Sequence, residues 1–190
     1  MFVFQAFPQK NDSISVWSHL CFSSLRSVIF AFDNDVIIRS ERVYIIEQIL
    51  HLSPRLSHLT VEWNDLRLCS QSNRNVKHLR LQLYKRCEDP NLCIDINYLF
   101  QLLPRLSCLE TCGSNIALND NLIRFILKIV ETFDQLVQLM INRPGYIPIQ
   151  PEIAKIIEQA IFNTGHKRLL NSKTCQITFP RRNELRIWLS

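Results

Sequence analysis

The histidines and cysteines are the residues of this sequence best suited to chemistry, because imidazole and thiolate groups bind zinc and can act as bases or nucleophiles. His58, His78 and Cys108 occupy equivalent places, each two residues after an aliphatic residue and directly before a leucine. A zinc site made from these three would need a fourth ligand, and side chains on a flat parallel sheet run side by side instead of converging. The two pairs of nearby cysteines, with three and five residues between their members, also differ in spacing from zinc-binding loops. We therefore predict no metal site.

Other catalytic arrangements are also missing from the sequence. The chain has only three glycines, and no two of them lie close enough to form a glycine-rich phosphate loop or the strained turn that exposes a nucleophilic serine. Glu62 and Glu110 are separated by a whole predicted strand, so they cannot share acid–base work. We predict a protein that is not an enzyme and that uses no cofactor.

A repeated pattern indicates the elements that position these residues. An apolar stretch with helical spacing ends at Pro-Arg-Leu-Ser twice, at Pro54 and at Pro104, and Leu-x-x-Leu follows each time. Because proline ends a helix, each unit predicts a helix, a tight turn and a strand. The strand frame recurs as Leu25-x-x-Val28-x-Phe30, Leu56-x-x-Leu59-x-Val61, Val76-x-x-Leu79-x-Leu81, Leu106-x-x-Leu109-x-Thr111, Leu136-x-x-Leu139-x-Ile141 and, in degenerate form, Thr174-x-x-Ile177-x-Phe179. The first five copies start 31, 20, 30 and 30 residues apart, so the 20-residue unit has room for a loop but not for a long helix.

Two later helices are indicated by apolar stripes. One stripe runs from Leu122 to Phe133, with Asn119 or Asp120 as the cap. The other begins after Pro151, ends near Gly165, and consists of Ile153, Ile156, Ile157, Ala160 and Ile161. Such helices bury their stripes by stacking on neighbouring units, as in a solenoid.

The segment Leu56-x-x-Leu59-x-Val61-x-x-Asn64-x-Leu66 resembles the leucine-rich repeat, including its asparagine. Helix-backed units of about 30 residues are similar to the irregular repeats found behind F-box domains, the substrate-recruiting subunits of cullin-type ubiquitin ligases. The similarity covers roughly residues 25 to 180, and the Leu-Pro-led helical segment of an F-box itself is absent. The resemblance implies an α/β solenoid with parallel strands on its concave side and helices outside.

Length and composition fit a single domain over residues 1–190. Hydrophobic residues make up 47% of the chain and charged residues 21%, which excludes wholesale disorder. We expect residues 1–24, with Phe2, Phe4 and Phe7, to be a remnant of an earlier repeat or a cap. Residues 25–170 form the repeats, and residues 171–190 form a strand or hairpin cap, since Leu185, Ile187 and Leu189 alternate.

The side chains between the buried strand positions are predicted to share the concave face of the sheet, because side chains alternate along a strand. Arg80 and Glu110 should lie side by side on adjacent strands. We expect binding hot spots around His78, Arg80, Glu110 and Met140, although the same face could simply be solvated. The candidate binding residues are His58, Thr60, Glu62, His78, Arg80, Gln82, Cys108, Glu110, Gln138, Met140 and Asn142.

This pattern predicts a monomeric, non-catalytic module that recognises an unidentified protein partner. The resemblance implies the substrate-recognition half of an F-box-like ubiquitin ligase adaptor. The alternative is association with nucleic acid through basic residues near 74–86 and 167–186, but a net charge of only +5 and few interleaved aromatics favour protein. An odd number of irregularly spaced cysteines and no signal sequence predict the cytoplasm or nucleus, and no apolar stretch is long enough to predict a membrane partner.

Overall fold

The computed structural model describes residues 2–4, 24–31, 38–83, 94–113, 116–143, 148–170, 172–181 and 183–190. Phe7 therefore lies outside the described residues. The strands are β1 (Phe2–Phe4), β2 (Ser27–Phe30), β3 (His58–Glu62), β4 (His78–Leu83), β5 (Cys108–Gly113), β6 (Gln138–Asn142), β7 (Cys175–Arg181) and β8 (Glu184–Leu189). The helices are α1 (Arg39–Leu52), α2 (Trp63–Leu66), α3 (Ile96–Leu102), α4 (Asp120–Thr132) and α5 (Pro151–Phe162).

These strands form one open sheet in the order β1-β2-β3-β4-β5-β6-β8-β7. Strands β1 to β6 are parallel, whereas β8 runs antiparallel to both of its neighbours. The predicted α/β class and C-terminal hairpin are confirmed. Stacking the copies of the strand frame in chain order predicts that the copy beginning at Thr174 lies next to β6. This prediction is wrong, because β8 lies between β6 and β7.

The core follows the predicted strand frame. Leu59, Leu79, Leu109 and Leu139 are register partners in sequence, and each is at most 2% exposed. Complete burial of one such leucine contributes about 2 kcal/mol. This aliphatic row fixes the register of the sheet, because a shift of one residue would turn every leucine to the other face.

The same turn leads into each repeat strand. The backbone N–H of Ser57 donates to the carbonyl of Arg26, that of Lys77 to Ser57, and that of Ser107 to Lys77, each at 2.9 Å. Helices α1 and α3 end at Leu52 and Leu102, just ahead of the two prolines, as predicted. Each strand is thus attached to its predecessor before the sheet ladder begins.

The 20-residue unit has only the one-turn helix α2, in agreement with the expectation that it cannot hold a long helix. In this unit the side-chain amide of Asn73 contacts the preceding helix, since it donates to the carbonyl of Leu50 at 2.8 Å. Its backbone N–H donates to the carbonyl of Leu102 at 2.9 Å, so this buried asparagine joins the ends of α1 and α3.

Helices α4 and α5 differ in how completely they are covered. Asn119 caps α4 by accepting from the N–H groups of Asn121 and Leu122. At the start of α5, Pro151 occupies the first turn as predicted. The expected buried stripe of α5 is wrong in part: Ile157 and Ile161 are buried, but Ile153 and Ile156 are 39% and 60% exposed. The chain turns at Gly165 (φ 72°) toward the hairpin, and no later helix of the described chain packs beside α5.

Candidate functional site on the polar face of the sheet

The face of the sheet opposite the leucine row carries aligned polar side chains, and we call it the polar face. All eleven candidate binding residues lie on it in the predicted neighbour relationships. Its side chains form three rows across the strands. The first row consists of Ser27, His58, His78, Cys108, Gln138, Trp188 and Gln176, and the second of Ile29, Thr60, Arg80, Glu110, Met140, Arg186 and Thr178. The third row consists of Glu62, Gln82, Cys112, Asn142 and Glu184.

The candidate residues are not equally accessible. His58, His78 and Arg80 are exposed, whereas Glu62 and Cys108 are only 8% and 9% exposed. Glu62 directly precedes α2, and its carboxylate lies in electrostatic range of the buried Arg42. Glu62 and Cys108 therefore offer little surface to a partner, and the accessible part of the face is smaller than the predicted set.

His58 and His78 form a stacked pair, with ring centroids 4.2 Å apart and planes inclined by 3°. The hydroxyl of Ser57 donates to the carbonyl of Arg26 at 3.1 Å, and its oxygen lies 2.8 Å from Nδ1 of His58. Burial lowers the pKa of His78, and the charges of His58 and Lys77 lower it further. Both causes favour the neutral form of this imidazole.

The stack does not form a metal centre. Because the rings are parallel, the lone pairs of their nitrogens run side by side and cannot converge on one ion. Within the described ranges, no group of three or more histidine, cysteine, aspartate or glutamate side chains is placed to hold a metal ion.

The predicted neighbours Arg80 and Glu110 form an ion pair, with Arg80 Nε 3.4 Å from Glu110 Oε1. The Arg80 side chain is 46% exposed and that of Glu110 is 20% exposed. An ion pair this accessible contributes no more than about 1 kcal/mol to folding. Both groups can therefore be redirected toward a partner at little cost in stability.

Trp188 and Arg186 belong to the polar face, although sequence reasoning omitted them from it. Strand β8 brings Trp188, which is 40% exposed, opposite Gln138 and Gln176. Arg186 lies opposite Met140, and Glu184 holds its guanidinium at 2.5 Å. The alternation of Leu185, Ile187 and Leu189 implied that Arg186 and Trp188 face the other way, but it did not specify their neighbours.

The three buried thiols that the structure describes, those of Cys69, Cys108 and Cys175, are poor nucleophiles. Burial raises the pKa of Cys108, and the nearby Glu110 carboxylate raises it further, although Arg186 opposes both. Burial likewise raises the pKa of Cys69 to about 12 and that of Cys175 to about 11. A reactive cysteine requires the opposite shift.

The basic residues proposed for nucleic acid binding are partly engaged within the protein. Arg168 donates to the carbonyls of Val130 and Phe133, at 3.4 and 3.0 Å, and also to that of Leu136. Arg181 and Arg186 both pair with Glu184. Lys85, Arg86 and Arg182 lie outside the described residues.

No protein-family model matches the chain, and no curated protein matches it significantly. In the part of the chain that the structure describes, no helix is both long and apolar enough to cross a bilayer.

Proposed function

We propose that this protein is a non-catalytic recognition module that binds a protein partner through the polar face of its sheet. The observation that carries this proposal is the alignment of polar and aromatic side chains in rows across seven neighbouring strands. The exposed members of these rows are His58, His78, Arg80, Gln176 and Trp188. Regular elements hold such side chains in fixed positions, which reduces the entropy lost on binding.

The centre of the proposed interface is the region around Met140. This half-buried side chain lies between Glu110 and Arg186, and Trp188 is on the same strand as Arg186. Methionine, tryptophan and arginine are enriched in protein interfaces, and hot spots combine such anchors with a polar surround. Arg80 completes that surround on the far side of Glu110.

At a finer level, we propose that the chain is a leucine-rich-repeat-like solenoid and that the polar face is its concave side. The repeated turn and the buried leucine row support this assignment, since both recur from strand to strand. The resemblance to the repeats of F-box proteins supports a role as the substrate-recognition half of a ubiquitin ligase adaptor in the cytoplasm or nucleus.

Differential affinity capture tests the main proposal. The full chain, Met140→Arg and Gln159→Arg are used as baits, and bound proteins are quantified by mass spectrometry. Gln159 is an exposed residue of α5, so its replacement adds the same charge away from the polar face. We expect a partner that is retained by the wild type and by Gln159→Arg and lost with Met140→Arg.

Capture of the same proteins by all three baits would show that binding does not use the polar face. Thermal unfolding of each bait verifies that Met140→Arg is folded. If the finer proposal holds, the captured partner is ubiquitylated in cells, and its ubiquitylation falls when Met140→Arg replaces the wild type.

A further inference from the structure

The Pro-Arg-Leu-Ser motif contains one residue that the fold does not use. Its proline follows a helix end, and its leucine, Leu56 or Leu106, is fully buried. Its serine hydroxyl donates to the backbone carbonyl of the preceding strand, at 3.1 Å for Ser57 and 3.2 Å for Ser107. The arginine is left exposed at both sites.

The two motif arginines belong to a row of cations at the end of the sheet where the parallel strands begin. We call this row the basic rim, and it consists of Arg26, Arg55, Arg74, Lys77 and Arg105. All five are exposed, and they occupy the turns or approaches of the four adjacent strands β2 to β5. Adjacent strands are about 4.8 Å apart, so the row spans roughly 14 Å.

The charges of the basic rim are not neutralised by the described part of the chain. None of the five cations forms an ion pair there. The corresponding turn positions of β2 to β5 carry no acid, and the first acid along the row is Asp134, at the turn before β6. Cations are favoured at helix ends, but Arg74 and Lys77 follow a loop, so a helix dipole does not explain the row.

The size of the rim favours an acidic peptide segment over nucleic acid. An extended peptide of about five residues covers this length. A duplex-binding surface that contacts about 6–10 phosphates needs more cations than the five of the basic rim. The rim turns contain no phenylalanine, tyrosine or tryptophan on which unpaired bases could stack.

We propose that the basic rim binds an acidic, extended segment of a protein partner. Arginine side chains at the start of each strand form bidentate hydrogen bonds with the partner's carboxylates. This inference rests on the proposed recognition function and specifies the chemistry of the partner. The rim borders the first row of the polar face, where His58 and His78 lie, so one partner can contact both surfaces.

The test uses the full chain and a fluorescent peptide with about five acidic residues, at ionic strengths of about 0.02 and 0.15 M. The rim variant is Arg55→Glu/Arg105→Glu, and the matched control is Arg124→Glu/Lys128→Glu on the exposed side of α4. Both variants change the net charge equally. We expect the rim variant to weaken peptide binding by about tenfold, while the control stays within about twofold of the wild type.

An equal loss of peptide affinity in the rim variant and the control variant would show that binding depends only on net charge, and it would overturn the proposal. Tighter binding of an oligonucleotide with the same number of charges would overturn it in favour of nucleic acid, and no binding of the peptide at either salt would also reject it. Arg55→Gln/Arg105→Gln gives a milder variant in case charge reversal disturbs folding. Met140→Arg should leave peptide binding unchanged, so failure of the rim proposal can be distinguished from failure of the polar-face proposal.

Discussion

The buried ion pair between Arg42 on α1 and Asp65 on α2 allows a specific stability prediction. Arg42 Nε donates to Asp65 Oδ2 at 2.8 Å, and Nη2 donates to Oδ1 at 3.1 Å. The Asp65 side chain is fully buried, and that of Arg42 is 8% exposed. The hydrogen bond that Arg42 donates to Asp65 raises the pKa of the Arg42 guanidinium against the effect of burial, and the charges of Asp65 and Glu62 add to the increase.

Removing Arg42 and removing Asp65 should lower the free energy of unfolding by different amounts. Arg42→Met removes both hydrogen bonds to the buried Asp65 carboxylate and leaves it, among the described residues, only Arg39, whose exposed side chain places Nε 3.8 Å from Oδ1. We expect this to cost about 3 kcal/mol. Asp65→Asn keeps one acceptor oxygen and leaves Arg42 near Glu62, so we expect a smaller loss of about 2 kcal/mol. Arg42→Met/Asp65→Leu removes both charges and should be more stable than Arg42→Met by at least about 1 kcal/mol.

Urea unfolding of the wild type and the three variants at neutral pH measures these differences. Equal slopes of the unfolding free energy against urea would show that the variants unfold over the same surface. A loss below about 1 kcal/mol for Arg42→Met would refute the reasoning, because it would mean that solvent or Arg39 compensates the Asp65 carboxylate. A double variant less stable than Arg42→Met would refute it as well.

Three further predictions follow from single contacts. Thr111 is 1% exposed, and its hydroxyl has no hydrogen-bond partner among the described residues. Thr111→Val should therefore raise the free energy of unfolding by about 1 kcal/mol. A lower free energy of unfolding in urea would show that the hydroxyl has a partner. Arg168→Met removes the donor to the carbonyls at the end of α4 and should cost about 1–2 kcal/mol by thermal unfolding, whereas exposed Lys167→Met should be neutral. Folding lowers the pKa of His78 from its ordinary value of 6.5, so the free energy of unfolding should decrease as the pH falls from about 6.5 through the lowered pKa. His78→Gln lacks this group and should lose less stability than the wild type between about pH 7 and 5. Identical pH profiles of the two proteins would contradict this.

The parallel part of the fold could be predicted because its signal is local and repeated. Each copy of the strand frame places an aliphatic residue at the same position, so aligning the copies also gives the register of Leu59, Leu79, Leu109 and Leu139. The helix ends before the prolines follow from backbone chemistry alone. The place of β8 could not be predicted, since hairpin alternation does not specify which of its strands joins the sheet.

The accessible composition of the polar face was harder to predict. Alternation placed His58, Arg80 and Glu110 correctly, but it did not show that Glu62 is buried and lies in electrostatic range of an α1 residue twenty positions away. The position of Trp188 depends on the insertion of β8. Both features result from contacts between distant segments, for which the sequence contains no periodic signal.

The shortened second unit has a consequence for folding. Strands β3 and β4 are joined by a 20-residue step from His58 to His78, whereas β4 and β5 require a 30-residue step from His78 to Cys108. Closing the shorter loop costs about 0.4 kcal/mol less conformational entropy, or roughly a twofold advantage in closure probability. Since Asn73 is then hydrogen-bonded to both flanking helix ends, we expect this central pair to form early and the ladder to grow from it in both directions.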